Sequence, residues 1–262
     1  MGGATPPLPE GVTTVREPRT DVAGLPVHPV AAWTAAYPWL VHGTTGAARP
    51  GDDGTDPADL GLFGHAPSGF VLGRWRALRE GLDVARAVHS RQVHGAAITE
   101  HMERLPGLFI GDGGDGHVTG YPGILLTVSV ADCVPIFLVE ERLHRVALLH
   151  GGWRGTVAGV VEAGVEALGG DLDRVRVHLG PAICGACYEV GPEVHEALGL
   201  ERPATNTPVD LRAVQARRLV DAGVAPDRIS VSEYCTRHDD GFFSHRGGSP
   251  CRQIGLLGVR WG

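Results

Sequence analysis

Apolar and polar positions along the chain fall into two rhythms. In ILLTVSVADC, residues 124–133, Thr127 and Ser129 alternate with Val128 and Val130, the period of two of a half-buried strand. Pro135 cannot donate to a ladder and is expected to interrupt it. IFLV at 136–139 and RVALLH at 145–150 follow, joined by the charged loop EERLH, and together they predict a hairpin. After Thr156 the rhythm changes: Val157, Val160, Val161, Val165 and Leu168 recur at helical spacing, and Gly169 and Gly170 mark the stop. His150 therefore falls where a strand runs out, just ahead of a helix.

Farther on, VRVHLGPAI reads as another strand, followed by CGACYEVG and a short helix from Pro192. Asp210 is placed to cap a helix reaching Ala222, with Gly223 as its terminator and RISVS as a strand beyond. The elements alternate unevenly, which predicts a mixed α/β or α+β layered fold with no strand order implied. Residues 1 to about 30 are rich in proline and small polar residues and are expected to form an extended arm. Residues 43–59, GTTGAARPGDDGTDPAD, carry the turn formers of an exposed loop. GDGGDG at 111–116 fits a dinucleotide fingerprint formally, but two aspartates would face the pyrophosphate and no helix pattern follows, so a plain turn is expected.

The chain has 262 residues, 43% of them apolar and 20% charged, which fits a compact fold of one large domain or two fused halves. Its net charge is −7 with no basic cluster, so neither nucleic acid nor an anionic membrane surface is indicated and a small-molecule partner is. All 23 cationic side chains are arginine. That excludes a Schiff-base lysine and a Walker A loop, and any phosphate must be held by arginine or backbone amides. No run approaches the roughly 18 apolar residues of a membrane span, and the N-terminal stretch has neither the basic start nor the apolar segment of a secretory signal. Five cysteines, an odd number, suggest reduced thiols and a cytoplasmic location.

His94 in RQVHG, Cys133 in VADCVP and His150 in LLHGGW each lie at or near an apolar strand end. A thiolate and two imidazoles suit zinc, and three protein ligands leave the fourth position open, as catalysis requires. Taken singly, each residue also has a plain structural use: a buried cysteine packs, and a strand-end histidine is satisfied by a carbonyl. Asp132 would face away from Cys133 on a regular strand, and a bulge at Pro135 would bring them together; otherwise its carboxylate caps a turn or pairs with an arginine. Arg154 either clamps phosphate with its planar fork or covers Trp153. Gly151, Gly152 and Gly155 permit close backbone approach. Cys184 and Cys187 form a CxxC that does not open a helix, so packing or a loop near the site is expected of them; a four-cysteine knuckle with Cys235 and Cys251 lacks a second CxxC. None of the 13 histidines falls in an HxH pair and there are only two methionines, so copper is less favoured than zinc.

In this order, RQVHG, TVSVADCVPIFL, ALLHGGWRGTVAGVVEAG and LGPAICGACYEVG resemble the YfiH or laccase-domain family, also called polyphenol oxidase-like, as do DGFFSHRGG and CRQIGLLG near the end. The resemblance runs from about Pro38 onward and implies one domain over 36–262, with 1–35 as an arm outside it. It implies a sandwich of β-sheets flanked by helices, related to toxin deamidase folds, with zinc on His94, Cys133 and His150. Members act on purine nucleosides, phosphorolysing adenosine, inosine and methylthioadenosine and deaminating adenosine; some have been labelled peptidoglycan editing factors. On this basis Asp132 is assigned proton transfer, and Arg154 or Arg252 phosphate binding, because Gly46 stands where the family's N-terminal motif has an arginine. The residues alone also admit a metal-free cysteine hydrolase or amidase with Cys133 as nucleophile and His150 as base, or a binding partner with no turnover.

Overall fold

The computed structural model describes residues 5–48, 56–64, 66–103 and 105–261. Among these, two seven-stranded sheets pack face to face. The centre of one is the predicted hairpin, Val134–Glu140 against Arg145–Gly151, with Pro135 opposite His150. The centre of the other is Gln253–Val259, antiparallel to both Leu40–Thr45 and Ile124–Val130.

Strand periodicity explains the layering, since successive side chains point to opposite faces. Phe137, Val139, Val146 and Leu148 face the second sheet, where Leu126, Val128, Val130 and Leu257 meet them in a buried apolar core. The alternate residues Ile136, Leu138, Ala147 and Leu149 face outward, under Val160, Val161, Val165 and Leu168. On the far side of the second sheet, Val71, Trp75 and Leu78 of the helix Ser68–Gly81 cover Leu25, Val41 and Leu125. The result is a mixed α/β sandwich, helices outside two sheets. No helix among the described residues is long and apolar enough to cross a membrane.

Several sequence expectations hold. Asp210 caps the helix Leu211–Asp221 by accepting from the N–H groups of Arg212 and Ala213, and Gly223 follows at φ 100°. The predicted strands at Val175–Leu179 and Ile229–Ser232 lie parallel and adjacent.

Others are corrected. Of the arm expected over residues 1–35, residues 1–4 lie outside the described residues and the rest is woven into the sandwich: Thr13–Val15 extends the edge beside Ile229–Ser232, Leu25–His28 pairs with Leu40–Thr45, and Ala31–Ala36 is a helical turn. Short strands of this kind are set by the exposed ladder they complete, which composition does not reveal. The loop expected at 43–59 begins instead inside the buried strand Leu40–Thr45, and Asp56, Ala58 and Asp59 are buried; 49–55 lie outside the described residues. The single helix after Thr156 is two, Trp153–Val157 and Val160–Leu168, broken at Gly159 with φ 89°. Pro135 does not interrupt the ladder, because its carbonyl still accepts from the Gly180 N–H at 2.9 Å.

Candidate active site

The three predicted ligands arrive from three places in the fold. His94 follows the strand Arg86–Arg91 in a left-handed conformation, φ 59°. Cys133 leaves the turn between Ile124–Val130 and Val134–Glu140, and His150 sits near the end of its hairpin strand. Their ligand atoms all lie within 4.8 Å of one another, and the two imidazole rings meet edge to face with centroids 4.8 Å apart.

What holds them is a residue that sequence reasoning passed over. Asp115, in the GDGGDG turn, is fully buried and gathers four donors. The backbone N–H groups of Val93, His94 and Gly95 donate to its carboxylate at 3.0, 2.9 and 2.8 Å, and its Oδ1 lies 2.8 Å from His150 Nδ1. Burial would raise this carboxyl; the His150 hydrogen bond and those N–H donors hold it below its ordinary value. Asp115 thus keeps the proton on His150 Nδ1 and leaves Nε2 for the common centre. Nothing in the turn-forming composition of GDGGDG announces this; the one signal was an aspartate placed after three glycines where the turn itself needs none.

Gln92 reinforces the same loop. Its amide donates to Ser129 O and accepts from Ser129 N–H, at 2.8 and 2.7 Å, replacing a ladder partner at the strand end. Gly152 explains the cleared backbone after His150: a Cβ there would stand 3.1 Å from both Cys133 Sγ and His94 Cδ2.

The electrostatics form a matched pair. Burial would raise the Cys133 thiol, but the adjoining His150 and His94 imidazoles bring it down to about 6. Burial would likewise lower His150, but the Cys133 thiolate and Asp115 lift it to about 9. Without a cation this is a thiolate beside an imidazolium; a divalent cation would displace the His150 Nε2 proton and meet a negative sulfur and two imidazoles, with an anionic carboxylate behind.

Over these three residues opens a cavity of about 450 Å³, the size of a small-molecule site. Phe63, His89, Arg91, His245 and Arg252 contribute to its wall. Arg252 is anchored by its Nη1 donating to the carbonyls of Ser249, Pro250 and Cys251. His89 is buried and donates through Nδ1 to Thr127, whose hydroxyl is already given to Val88 O; burial lowers it to about 4, so the ring is neutral.

The remaining predicted residues lie elsewhere. Asp132 takes φ 91° in the turn before Cys133, with one carboxylate oxygen accepting from the Thr236 hydroxyl and the other from the Arg246 N–H, each at 2.6 Å. No bulge brings it onto the Cys133 face. Arg154 is exposed with its guanidinium 4.5 Å from the Trp153 ring centroid, and it does not line the cavity. At Gly46 a Cβ would meet Gly241 O at 2.6 Å and His28 Nε2 at 3.0 Å, so no arginine side chain could leave this position undisturbed. Cys184 and Cys187 sit together with Cys235 and His238, not with Cys251.

The model of the multi-copper polyphenol oxidoreductase laccase family matches residues 67–260. An adenosine deaminase from an unknown prokaryotic organism is 38% identical over 191 residues, 65% of this chain and 73% of that protein. A purine nucleoside phosphorylase from Streptomyces griseus is 36% identical over 203 residues, 71% of this chain and 79% of that one. Among solved structures, YlmD from Geobacillus stearothermophilus superposes with a TM-score of 0.82 at 27% identity, covering 95% of this chain and all of the other.

Proposed function

Because the chain belongs to the multi-copper polyphenol oxidoreductase laccase family, in which its relatives are named for nucleoside chemistry, we propose that it is a zinc-dependent purine nucleoside enzyme. It cleaves adenosine, inosine or methylthioadenosine with phosphate, giving the free base and the sugar 1-phosphate, and converts adenosine and water to inosine and ammonia. The observation that carries this reading is the convergence of His94, Cys133 and His150 beneath a cavity that also presents Arg91, Arg252 and Phe63.

The residues fit the metal. Two imidazoles and a lowered thiol are zinc ligands in kind and number, with one coordination position left for substrate or water. Blue-copper and coupled copper centres call for more histidine or an added thioether, and no methionine stands in the cavity wall. Bound zinc supplies Lewis acidity at the cavity floor. The chain does the rest: Asp115 fixes the His150 tautomer, Phe63 offers a face for the purine, and Arg91 with Arg252 holds the phosphate by charge. Neutral His89 presents a hydrogen-bonding edge to the base or sugar. We place proton positioning on Asp115 rather than Asp132, since both Asp132 oxygens are committed to the turn.

Zinc-loaded protein incubated with adenosine should yield adenine when phosphate is present and inosine when it is absent. No turnover of any purine nucleoside rejects the reading. One observation favours a second: Cys133, His150 and Asp115 also form the chain of a cysteine hydrolase, with thiolate, base and orienting carboxylate in line. His94 has no part in that chemistry. Amide hydrolysis that survives in His94→Ala while bound metal is lost would select it.

A further inference from the structure

A second group of metal-ligand side chains lies outside the cavity, and the nucleoside chemistry makes no use of it. Cys184 and Cys187 come from the loop after Val175–Leu179, and Cys235 and His238 from the loop after Ile229–Ser232. The four ligand atoms all lie within 4.8 Å of one another. Their spacing is C-x2-C followed, 48 positions after Cys187, by C-x2-H. We propose that Cys184, Cys187, Cys235 and His238 form a second metal site, a closed Cys3His zinc centre with a structural role.

Three observations carry it. The first is ligand number and geometry: four protein donors complete a tetrahedron and leave no position for substrate, as in structural zinc sites. With Zn–S near 2.3 Å and Zn–N near 2.0 Å, tetrahedral ligands stand about 3.5–3.8 Å apart. Cys187 Sγ and His238 Nδ1 already stand 3.6 Å apart. The second is the surrounding shell. The Cys235 sulfur accepts the Cys184 N–H at 3.3 Å, and the His238 N–H donates to the Cys235 carbonyl, closing the loop that carries both ligands. The other ring nitrogen of His238 lies 3.8 Å from the Asp239 carboxylate, which places an anion beside the ring at ion-pair distance and short of a direct hydrogen bond. Asp239 is itself held by the Cys235 N–H at 2.7 Å and by Arg16 at 3.5 Å.

The third is what the centre would tie together. Val175–Leu179 and Ile229–Ser232 are parallel neighbours, and beyond their ends the ladder shrinks to one isolated bridge, Ala182 to Cys235. A cation there staples two long loops where regular pairing stops. Thr236, next to Cys235, donates to Asp132, and Asp132 holds the turn that presents Cys133. The staple therefore supports the cavity floor from behind. A disulfide would use two of these sulfurs and leave a third thiol and an imidazole converging on it without purpose. All five cysteines are free.

The test is a metal count on the full chain, expressed with zinc and purified under reducing conditions. The unaltered protein should carry two zinc ions per chain, with Cys187→Ser and His94→Ala each carrying one and the double variant none. X-ray absorption on His94→Ala should show three sulfurs and one nitrogen about the remaining zinc. His238→Cys, which keeps four donors, should retain that ion with four sulfurs, so a Cys187→Ser protein that fails to fold does not end the test. A single zinc that His94→Ala removes and Cys187→Ser keeps overturns the proposal. So does a disulfide among Cys184, Cys187 and Cys235 in protein isolated without oxidant.

Discussion

Asp115 Oδ1 and His150 Nδ1 lie 2.8 Å apart, and the same carboxylate accepts the backbone N–H of His94. One buried anion thus positions two of the three cavity ligands, one through its ring and the other through its main chain. Charge and shape separate cleanly here. Asp115→Asn keeps the size but loses the anion that holds the proton on His150 Nδ1. Partners of this kind are worth about 10- to 100-fold in metal affinity. A competition titration with a chelating dye should show a loss of that order, along with a lower melting temperature, because three N–H groups lose a charged acceptor. Unchanged affinity would detach Asp115 from the site.

How much of this could be read from the chain differs by element. The hairpin, the capped helix at Asp210 and the strand-end placement of His150 follow from local alternation and capping, and each is where the pattern puts it. His94, Cys133 and His150 were recognisable as chemistry, and as a set through the motifs around them. Asp115 was not: its role depends on a loop 20 residues away folding over it, and GDGGDG has the same composition as an idle turn. The Cys184 and His238 pairing is hidden for the same reason, as half the ligands lie in a distant loop. Thr13–Val15 became a strand because an edge was available, a fact about the partner strand and not about TTV.

Gly152 tests whether the space beside Cys133 matters. Its backbone is extended, φ −78° and ψ 167°, which alanine adopts freely, so Gly152→Ala brings no conformational strain. The added methyl instead meets Cys133 Sγ and His94 Cδ2 at 3.1 Å. Overpacking of this size costs about 1–3 kcal/mol, equivalent to about 5- to 150-fold in binding. Metal affinity and turnover should fall together within that range, while urea unfolding of the metal-free protein changes little. Equal losses of stability with and without metal would place the effect in general packing.

The two arginines offered for phosphate should part company. Arg154 is exposed and stacked on Trp153, a contact worth about 0.5–1 kcal/mol to the helix start, so Arg154→Ala should leave the KM for phosphate nearly unchanged. Arg252 faces the cavity from an anchored position. A charged hydrogen bond is worth about 1.5–3 kcal/mol, so Arg252→Ala should raise the KM for phosphate at least about tenfold. Steady-state kinetics with phosphate varied at saturating nucleoside separates them, and the opposite ranking would return the anion site to Arg154.

Acid stability should be governed partly by histidines that fold neutral. His42 is lowered to about 4, by burial first and then by His178 and Arg260; its Nδ1 accepts the Val30 N–H at 3.2 Å, a bond that a second ring proton would break. His89 is also lowered to about 4, again chiefly by burial. Unfolded, both rings titrate near 6.5. Between pH 6.5 and 4 the unfolded chain therefore binds more protons than the folded one, so this contribution is fully present above pH 6.5 and is lost as pH falls toward 4. Each ring steepens the decline by up to about 1.4 kcal/mol per pH unit. His42→Asn keeps an acceptor for Val30 N–H and removes one proton from the balance. Urea unfolding at pH 7, 5.5 and 4.5 should show a shallower acid slope in that variant, and an identical slope would mean that His42 takes up its proton equally readily in the folded and unfolded chains.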